Sequence, residues 1–400
     1  MAKTSSKLLV DSANIPSKKS VMKRTTSSKA KATPKNKASH KRKLALLLPG
    51  HNEELIIQTT IRSAVAAGQD INDIYVVDDA SSDATRRKAV DLLGKRQVLT
   101  VKRSGKAKAV NTAIKHFSME DRYRWLHVAD ADSIFGPDYF KIFRKRLVGN
   151  KYVVAIGFVQ SLRGNWISNY RAFSYTYSQQ LLRRAQSWLG VISVLPGPVT
   201  CFRTDIISEI DFEVDTITED FDITLQIHRK HLGRICFIPE AVNYTQDPQT
   251  LHDFRVQTQR WYRGFFQCIT KHKIGTKRQG IDVFISAQLL QSLLYVLEMM
   301  ILFPIVAIAT GDWMLFAYVF IIDFFIVSLM TIFSSVVAKR LSIMGTLPYY
   351  YFLRYFELGI FLWAFIEIVV LKRFNNKIKP WSTEGRRYAL TSSALKDVAH

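Results

Sequence analysis

The chain has 400 residues, long enough for two or three folding units, and carries a formal charge of +23 although 48% of its residues are hydrophobic. Segregation reconciles the two figures. Basic residues crowd the N-terminus and the flanks of an apolar C-terminal third, a distribution suited to an anionic membrane surface, while no zinc-ligand spacing, basic zipper or RNA-binding signature supports nucleic acid as a partner.

Residues 1–42 are rich in Lys, Ser, Thr and Ala, too polar to bury a core, and are expected to be a disordered basic tail. The tail either attracts anionic lipid or serves only solubility. It has no apolar run long enough for a signal peptide, so export is not expected. Cys201, Cys236 and Cys268 are odd in number and scattered, which excludes a disulfide framework and places the soluble part in a reducing compartment.

From Leu44 the pattern alternates. Strands are expected at Leu44–Pro49, Ile74–Asp79, Gln97–Val101 and Trp125–Ala129, with helices at Glu54–Ala67, Ala84–Leu93 and Lys106–Phe117 between them. Such alternation predicts an α/β fold with a doubly wound, mostly parallel, Rossmann-like sheet, whose ligands bind beyond the carboxyl ends of the strands. Three of those ends carry polar clusters: His51-Asn52-Glu53-Glu54, Asp78-Asp79 and Asp130-Ala131-Asp132. The last pair suits a hard divalent cation, Mg²⁺ or Mn²⁺, which keeps positions for water and substrate phosphate; alone, it could equally cap the turn at Gly136-Pro137.

Further on, a strand (Tyr152–Val159), a long helix (Trp166–Trp188) and a short strand (Val199–Arg203) are expected. In ITEDFDITLQIHRKHLG, Thr218 has the position of an N-cap, Glu219, Asp220 and Asp222 fill the first turn, and Gly233 stops the helix. Glu219 and Asp222 read as capping residues, His228 and His231 as solvent-facing, and Phe265 and Phe266 as the apolar face of an interfacial helix at 263–280. Ile281–Thr310, Trp313–Ala338 and Leu347–Leu371 are each apolar enough to be candidate membrane helices. Three full crossings would put the basic flank Lys372–Lys379 on the wrong side, and Leu347–Leu371 carries Arg354, Glu357 and Glu367. That stretch is therefore expected to lie in the interface or re-enter.

These residues, taken in order, resemble glycosyltransferase family 2, and within it the processive membrane synthases of cellulose, chitin, hyaluronan and poly-N-acetylglucosamine. The motifs are PGHNEE (49–54), VVDDASSDAT (76–85), SGKAKAVNTAI (104–114), DADS (130–133), TED (218–220) and QTQRW (257–261). The resemblance implies a GT-A catalytic domain at 43–262, a membrane region at 281–371 with two to three spanning helices, and a basic C-terminal tail at 372–400. It implies that His51, Glu53, Asp79, Lys106, Asp130, Gln257 and Arg260 bind a UDP-sugar donor, that Asp130 and Asp132 hold Mg²⁺ or Mn²⁺, and that Asp220 is the general base. Trp261 would be the platform for a polysaccharide or oligosaccharide acceptor, unless Arg260-Trp261 is an interfacial anchor. The expected activity is processive, inverting transfer, most readily from UDP-N-acetylglucosamine, by a multi-pass protein of the plasma or inner membrane with its catalytic domain in the cytoplasm. The alternative is transfer of one sugar to a polyprenyl phosphate or glycolipid. The chain has no spanning helices ahead of the catalytic domain, which leaves room for a partner subunit or oligomer in export.

Overall fold

The structure, a computed structural model, describes residues 42–149 and 151–374. The expected basic tails, apart from Arg42 and Lys372–Phe374, lie outside the described residues.

Eight strands form one sheet: β1 (Arg42–Gly50), β2 (Ile74–Asp79), β3 (Val98–Val101), β4 (Tyr123–Val128), β5 (Ile134–Phe135), β6 (Val154–Ser161), β7 (Thr200–Arg203) and β8 (Ile235–Thr245), in the spatial order β3-β2-β1-β4-β7-β6-β8-β5. β3, β2, β1 and β4 run parallel, β7 is antiparallel to both β4 and β6, and β6 pairs parallel with β8. The continuous apolar run of β1 follows from burial on both faces. Leu44, Leu46 and Leu48 pack with Ile57, Ile61 and Ala64 of the helix Ile57–Ala66. Ala45 and Leu47 face the opposite layer, with Ala109, Val110 and Ala113 of the helix Lys106–His116. β1 lies between β2 and β4, so the chain order reverses there, and the loops after β1, β2 and β4 meet over one crevice.

Several elements depart from the expected pattern. β8 and the helix Tyr139–Arg146 are additional; β8 carries Pro239, which falls at the register shift opposite Ile156–Phe158, where a missing N–H is tolerated. The stretch expected as one helix from Trp166 is an α-helix to Tyr177, a π turn Ser178–Arg183 and an α-helix Arg184–Leu189 that ends at Gly190 with φ 74°.

Beyond the sheet, Leu251–Lys271 is one helix of 21 residues. It runs through position 263 without a break, and the expected interfacial face is covered by protein: Phe266 is fully buried against Phe361 and Phe365, and Phe265 stacks on Phe221 at 5.3 Å. Among the described residues, two helices are long and apolar enough to cross a membrane, Gly280–Leu297 and Trp313–Val337, with mean hydropathies of 1.5 and 2.4. Val283 and Leu290 on the first and Ile321 and Phe325 on the second leave large apolar surfaces outward, as a lipid-facing helix does. Leu347–Phe365 behaves differently. It packs along Leu251–Lys271, and its charges meet protein partners: Arg354 with Asp323 at 3.3 Å, and Glu357 with Arg171 at 3.2 Å. Glu367, just beyond it, pairs with Arg263 at 2.7 Å. Ionisable groups in lipid are expensive, and this helix turns them to the protein.

Candidate active site

The loops at the strand ends are tied to one another before any side chain faces a ligand. Asn52 and Ala80 both take φ 55°, the left-handed region. The Asn52 amide nitrogen donates to Ser81 Oγ at 2.8 Å, its side-chain oxygen accepts from the Ser82 amide at 2.7 Å, and the Glu53 amide donates to Thr85 Oγ1 at 2.6 Å. Glu54 completes the latch by accepting from the Ala84 amide at 3.1 Å. His51 Nδ1 lies 2.9 Å from the Asp79 carbonyl oxygen.

Asp79, buried at the end of β2, accepts from the backbone amides of Ser104 and Gly105 at 2.7 and 2.9 Å and from Arg103 at 3.1 Å. Its carboxylate thereby fixes the turn that starts the helix Lys106–His116. Gly105, at φ 86°, makes that turn possible.

A cavity of about 1250 Å³ opens next to this turn. Lys106, Asp130, Asp132, Asp220, Gln257, Arg260 and Trp261 all line it. His51, Glu53 and Asp79 do not; they lie at, or just beyond, the ends of β1 and β2. Lys106 Nζ donates to Asp130 Oδ1 at 2.5 Å and lies 3.7 Å from Glu219 Oε1. Burial works against its charge, but Asp130, Glu219 and Asp220 outweigh it and hold the ammonium above its ordinary range. Glu219, expected only to cap a helix, is thus part of the lysine's anionic surround.

Asp220 stands in the first turn of the helix Glu219–Arg229 and accepts from the Phe221 amide at 2.8 Å. Burial, and then the neighbouring Glu219, push its carboxyl up to about 6, against the opposing pull of Lys106, Arg260 and the Phe221 amide. The helix start differs from expectation in two respects. Thr218 occupies the N-cap position without a side-chain capping bond, its hydroxyl lying against Cys268 Sγ at 3.7 Å. Asp222, expected as a cap, is fully buried and bonded by Gln226 at 3.0 Å, His272 at 3.1 Å and Lys271 at 2.9 Å, tying this helix to the end of Leu251–Lys271. His228 is likewise turned inward, its Nε2 donating to the Ile192 carbonyl at 2.8 Å; His231 is exposed, as expected.

Burial alone would raise the Asp222 carboxyl, but the bonds from His272, Gln226 and Lys271 hold it well below the usual carboxylate range. A depressed folded value means that the stabilisation is complete above the unfolded value near 4 and is lost as pH falls below it. Asp222→Ala is expected to destabilise the protein by about 3 kcal/mol, because the Lys271 ammonium and the His272 and Gln226 side chains lose a buried partner. Thermal unfolding in detergent at neutral pH should show a lower Tm; an unchanged Tm would mean that the two helices are held by apolar contacts alone.

Trp261 presents one ring face to Arg171, whose Cζ lies 4.7 Å from the ring centre. Gln257 is buried and accepts from Arg171 Nη2 at 3.4 Å. Arg171, Arg183, Asp247 and Glu357 also line the cavity and are absent from the set expected from sequence. The lone arginine in the aromatic stretch WISNYRAFSYTY was the available signal for Arg171; Arg183 sits in the π turn, which the residue pattern does not reveal.

Asp130 and Asp132 offer hard oxygen donors, and among the described residues no group of three or more His, Cys, Asp or Glu is arranged to hold a metal ion. Two carboxylates beside an open cavity fit Mg²⁺ or Mn²⁺, which complete their shells with water and phosphate oxygens, and do not fit a metal needing a full protein cage.

Residues 41–264 match the family described as "Glycosyltransferase like family 2", more than half of the chain. Among similar curated proteins, the poly-beta-1,6-N-acetyl-D-glucosamine synthase of Staphylococcus epidermidis is 24% identical over 70% of this chain and 70% of its own length. The enzyme of that name from Staphylococcus aureus is 23% identical over 59% of this chain and 57% of its own. Among solved structures, the mannosyltransferase PcManGT from Pyrobaculum calidifontis, in complex with GDP-Man and Mn²⁺, superposes with a TM-score of 0.53 at 16% identity, covering 82% of this chain and 87% of that one. The sheet with its two helix layers is the GT-A fold, and the chain belongs to glycosyltransferase family 2.

Proposed function

We propose that this protein is a metal-dependent, processive, inverting β-glycosyltransferase that adds sugar from UDP-N-acetylglucosamine to a growing polysaccharide at a membrane. The observation that carries this reading is the convergence of Lys106, Asp130, Asp132, Asp220, Arg260 and Trp261 on one cavity, and the names of the curated relatives supply the sugar. Residues 43–262 act as the catalytic domain. The helices Gly280–Leu297 and Trp313–Val337 cross the membrane, the catalytic domain is cytoplasmic, and Leu347–Leu371 stays with the protein surface or re-enters. A second subunit or copy completes the route for export.

Chemically, Asp220 takes the proton of an acceptor hydroxyl as that oxygen attacks C1 of the donor sugar, inverting an α-linked donor to a β-linked product. Lys106 and Arg260 offset charge that gathers on the departing UDP. A Mg²⁺ or Mn²⁺ held by Asp130 and Asp132 would supply Lewis-acid charge to the diphosphate. Asp79 and His51 fix the nucleoside end, Asp79 through the 103–105 turn that it braces, and Glu53 supports the loop behind it.

Membranes containing the protein should convert radiolabelled UDP-N-acetylglucosamine, with Mg²⁺ or Mn²⁺ present, into a product of high molecular weight. A single added sugar on a lipid would instead support the single-transfer alternative, and no product from any UDP-sugar would reject the reading. Trp261→Ala is expected to lose elongation by about a hundredfold, since a stacking platform is worth a few kcal/mol, while UDP affinity stays within about twofold. Full-length polymer from that variant would remove the platform role, and failure to insert in membranes would mark Trp261 as an interfacial anchor.

A further inference from the structure

The helix Trp166–Tyr177 is aromatic along much of its length, yet it buries one arginine, Arg171, to 3% exposure. A buried guanidinium persists only where acceptors and ring faces surround it. Arg171 has both. Nη1 donates to Glu357 Oε1 at 3.2 Å on the C-terminal helix Leu347–Phe365. Nη2 donates to Thr258 Oγ1 at 2.7 Å and Gln257 Oε1 at 3.4 Å, the turn that precedes Trp261 on Leu251–Lys271. The same guanidinium lies between two rings, with Cζ 4.7 Å from the centre of Trp261 and 4.3 Å from that of Phe254. Glu357 is held in turn by the Tyr170 hydroxyl at 2.8 Å, so the anchor point is itself fixed.

We propose that Arg171 is the positioning residue of the acceptor platform: it sets the plane of Trp261 and fastens the Gln257–Thr258 turn to the C-terminal helix through Glu357. The proposal rests on the reading of Trp261 as the platform for the acceptor sugar. An indole has a face on each side, and a cation over one face leaves only the other for the apolar face of a sugar ring. Three bonds in three directions from one rigid plane hold that arrangement, which a lysine ammonium on a flexible stem cannot reproduce. Pre-orienting the ring removes the ordering cost from acceptor binding, so the effect falls on the acceptor and not on the nucleotide, which binds at the Lys106 end of the cavity.

The test uses the full chain in detergent, with two ligands titrated separately: a short β-linked N-acetylglucosamine oligosaccharide and UDP with Mg²⁺. Arg171→Met should raise the Kd of the oligosaccharide about tenfold and leave that of UDP within about twofold. Because Arg171→Met strands the Glu357 charge and could fail to fold, the double variant Arg171→Met/Glu357→Met removes both charges at similar volume. It should show the same acceptor defect. Arg171→Lys should restore part of the affinity, by keeping charge over the ring without the fork. A purely packing role would weaken both ligands together. Equal loss of both, wild-type oligosaccharide affinity in the double variant, or no oligosaccharide binding by the wild-type chain would each overturn the proposal. Polymer formation from UDP-N-acetylglucosamine by the wild-type chain is scored separately, so failure of the proposed activity and failure of the positioning role are read in different assays.

Discussion

Asp220→Asn is expected to bind UDP with an affinity within about twofold of wild type and to lose about a thousandfold in kcat, the scale of a general base. The amide fills the same space in the first turn of Glu219–Arg229 and keeps an oxygen for the Phe221 amide at 2.8 Å, but it cannot take a proton. The pH profile carries the same assignment independently. From sequence alone this carboxylate would have an ordinary value near 4 and activity would hold to that pH. Burial and Glu219 raise it to about 6, so the carboxyl is ionised above that pH and protonated below it. The kcat/KM of the wild-type enzyme should therefore be level above about pH 6 and fall about tenfold per pH unit below it. A profile level down to pH 4, together with an Asn variant that has lost UDP, would make Asp220 a donor ligand and leave the proton to another group.

What could be read in the sequence, and what could not, follows the range of the interactions involved. β1 and β2 were legible because strands buried on both faces need unbroken apolar runs, and the polar residues that end those runs mark the crevice directly. β5 has two residues and β8 breaks its pattern at Pro239, so neither carries enough local signal. Whether Ser178–Arg183 bonds as an α or a π turn is indifferent to apolar spacing, since both bury the same stripe. Phe266 illustrates a different limit. An apolar helix face looks the same whether lipid or protein covers it, and its cover, Phe361 and Phe365, lies some hundred positions away along the chain. The site shows the same division. Lys106, Asp130, Asp132 and Asp220, expected from residue type and order, all line the cavity, whereas the pairing of Arg171 with Glu357 and the raised value of Asp220 depend on burial that only the folded chain creates.

The Asp132→Ala variant should lose transfer by at least about a thousandfold and, with Mg²⁺ or Mn²⁺ present, bind UDP about a hundredfold more weakly, the loss of a few kcal/mol of charge stabilisation. Asp130 Oδ1 is engaged by the Lys106 ammonium at 2.5 Å, so part of its charge is already compensated by the protein. Asp132 lies partly exposed on the same cavity wall, and losing one of the two oxygen ligands should abolish the dependence on metal. Without metal, wild type and variant should bind UDP alike, because Lys106 and Arg260 remain to meet the diphosphate. UDP titrations with and without Mn²⁺ on both proteins give the four affinities needed. If the variant keeps the wild-type gain on adding metal, the cation is held elsewhere, and the acidic pair at the end of β4 serves only to orient Lys106.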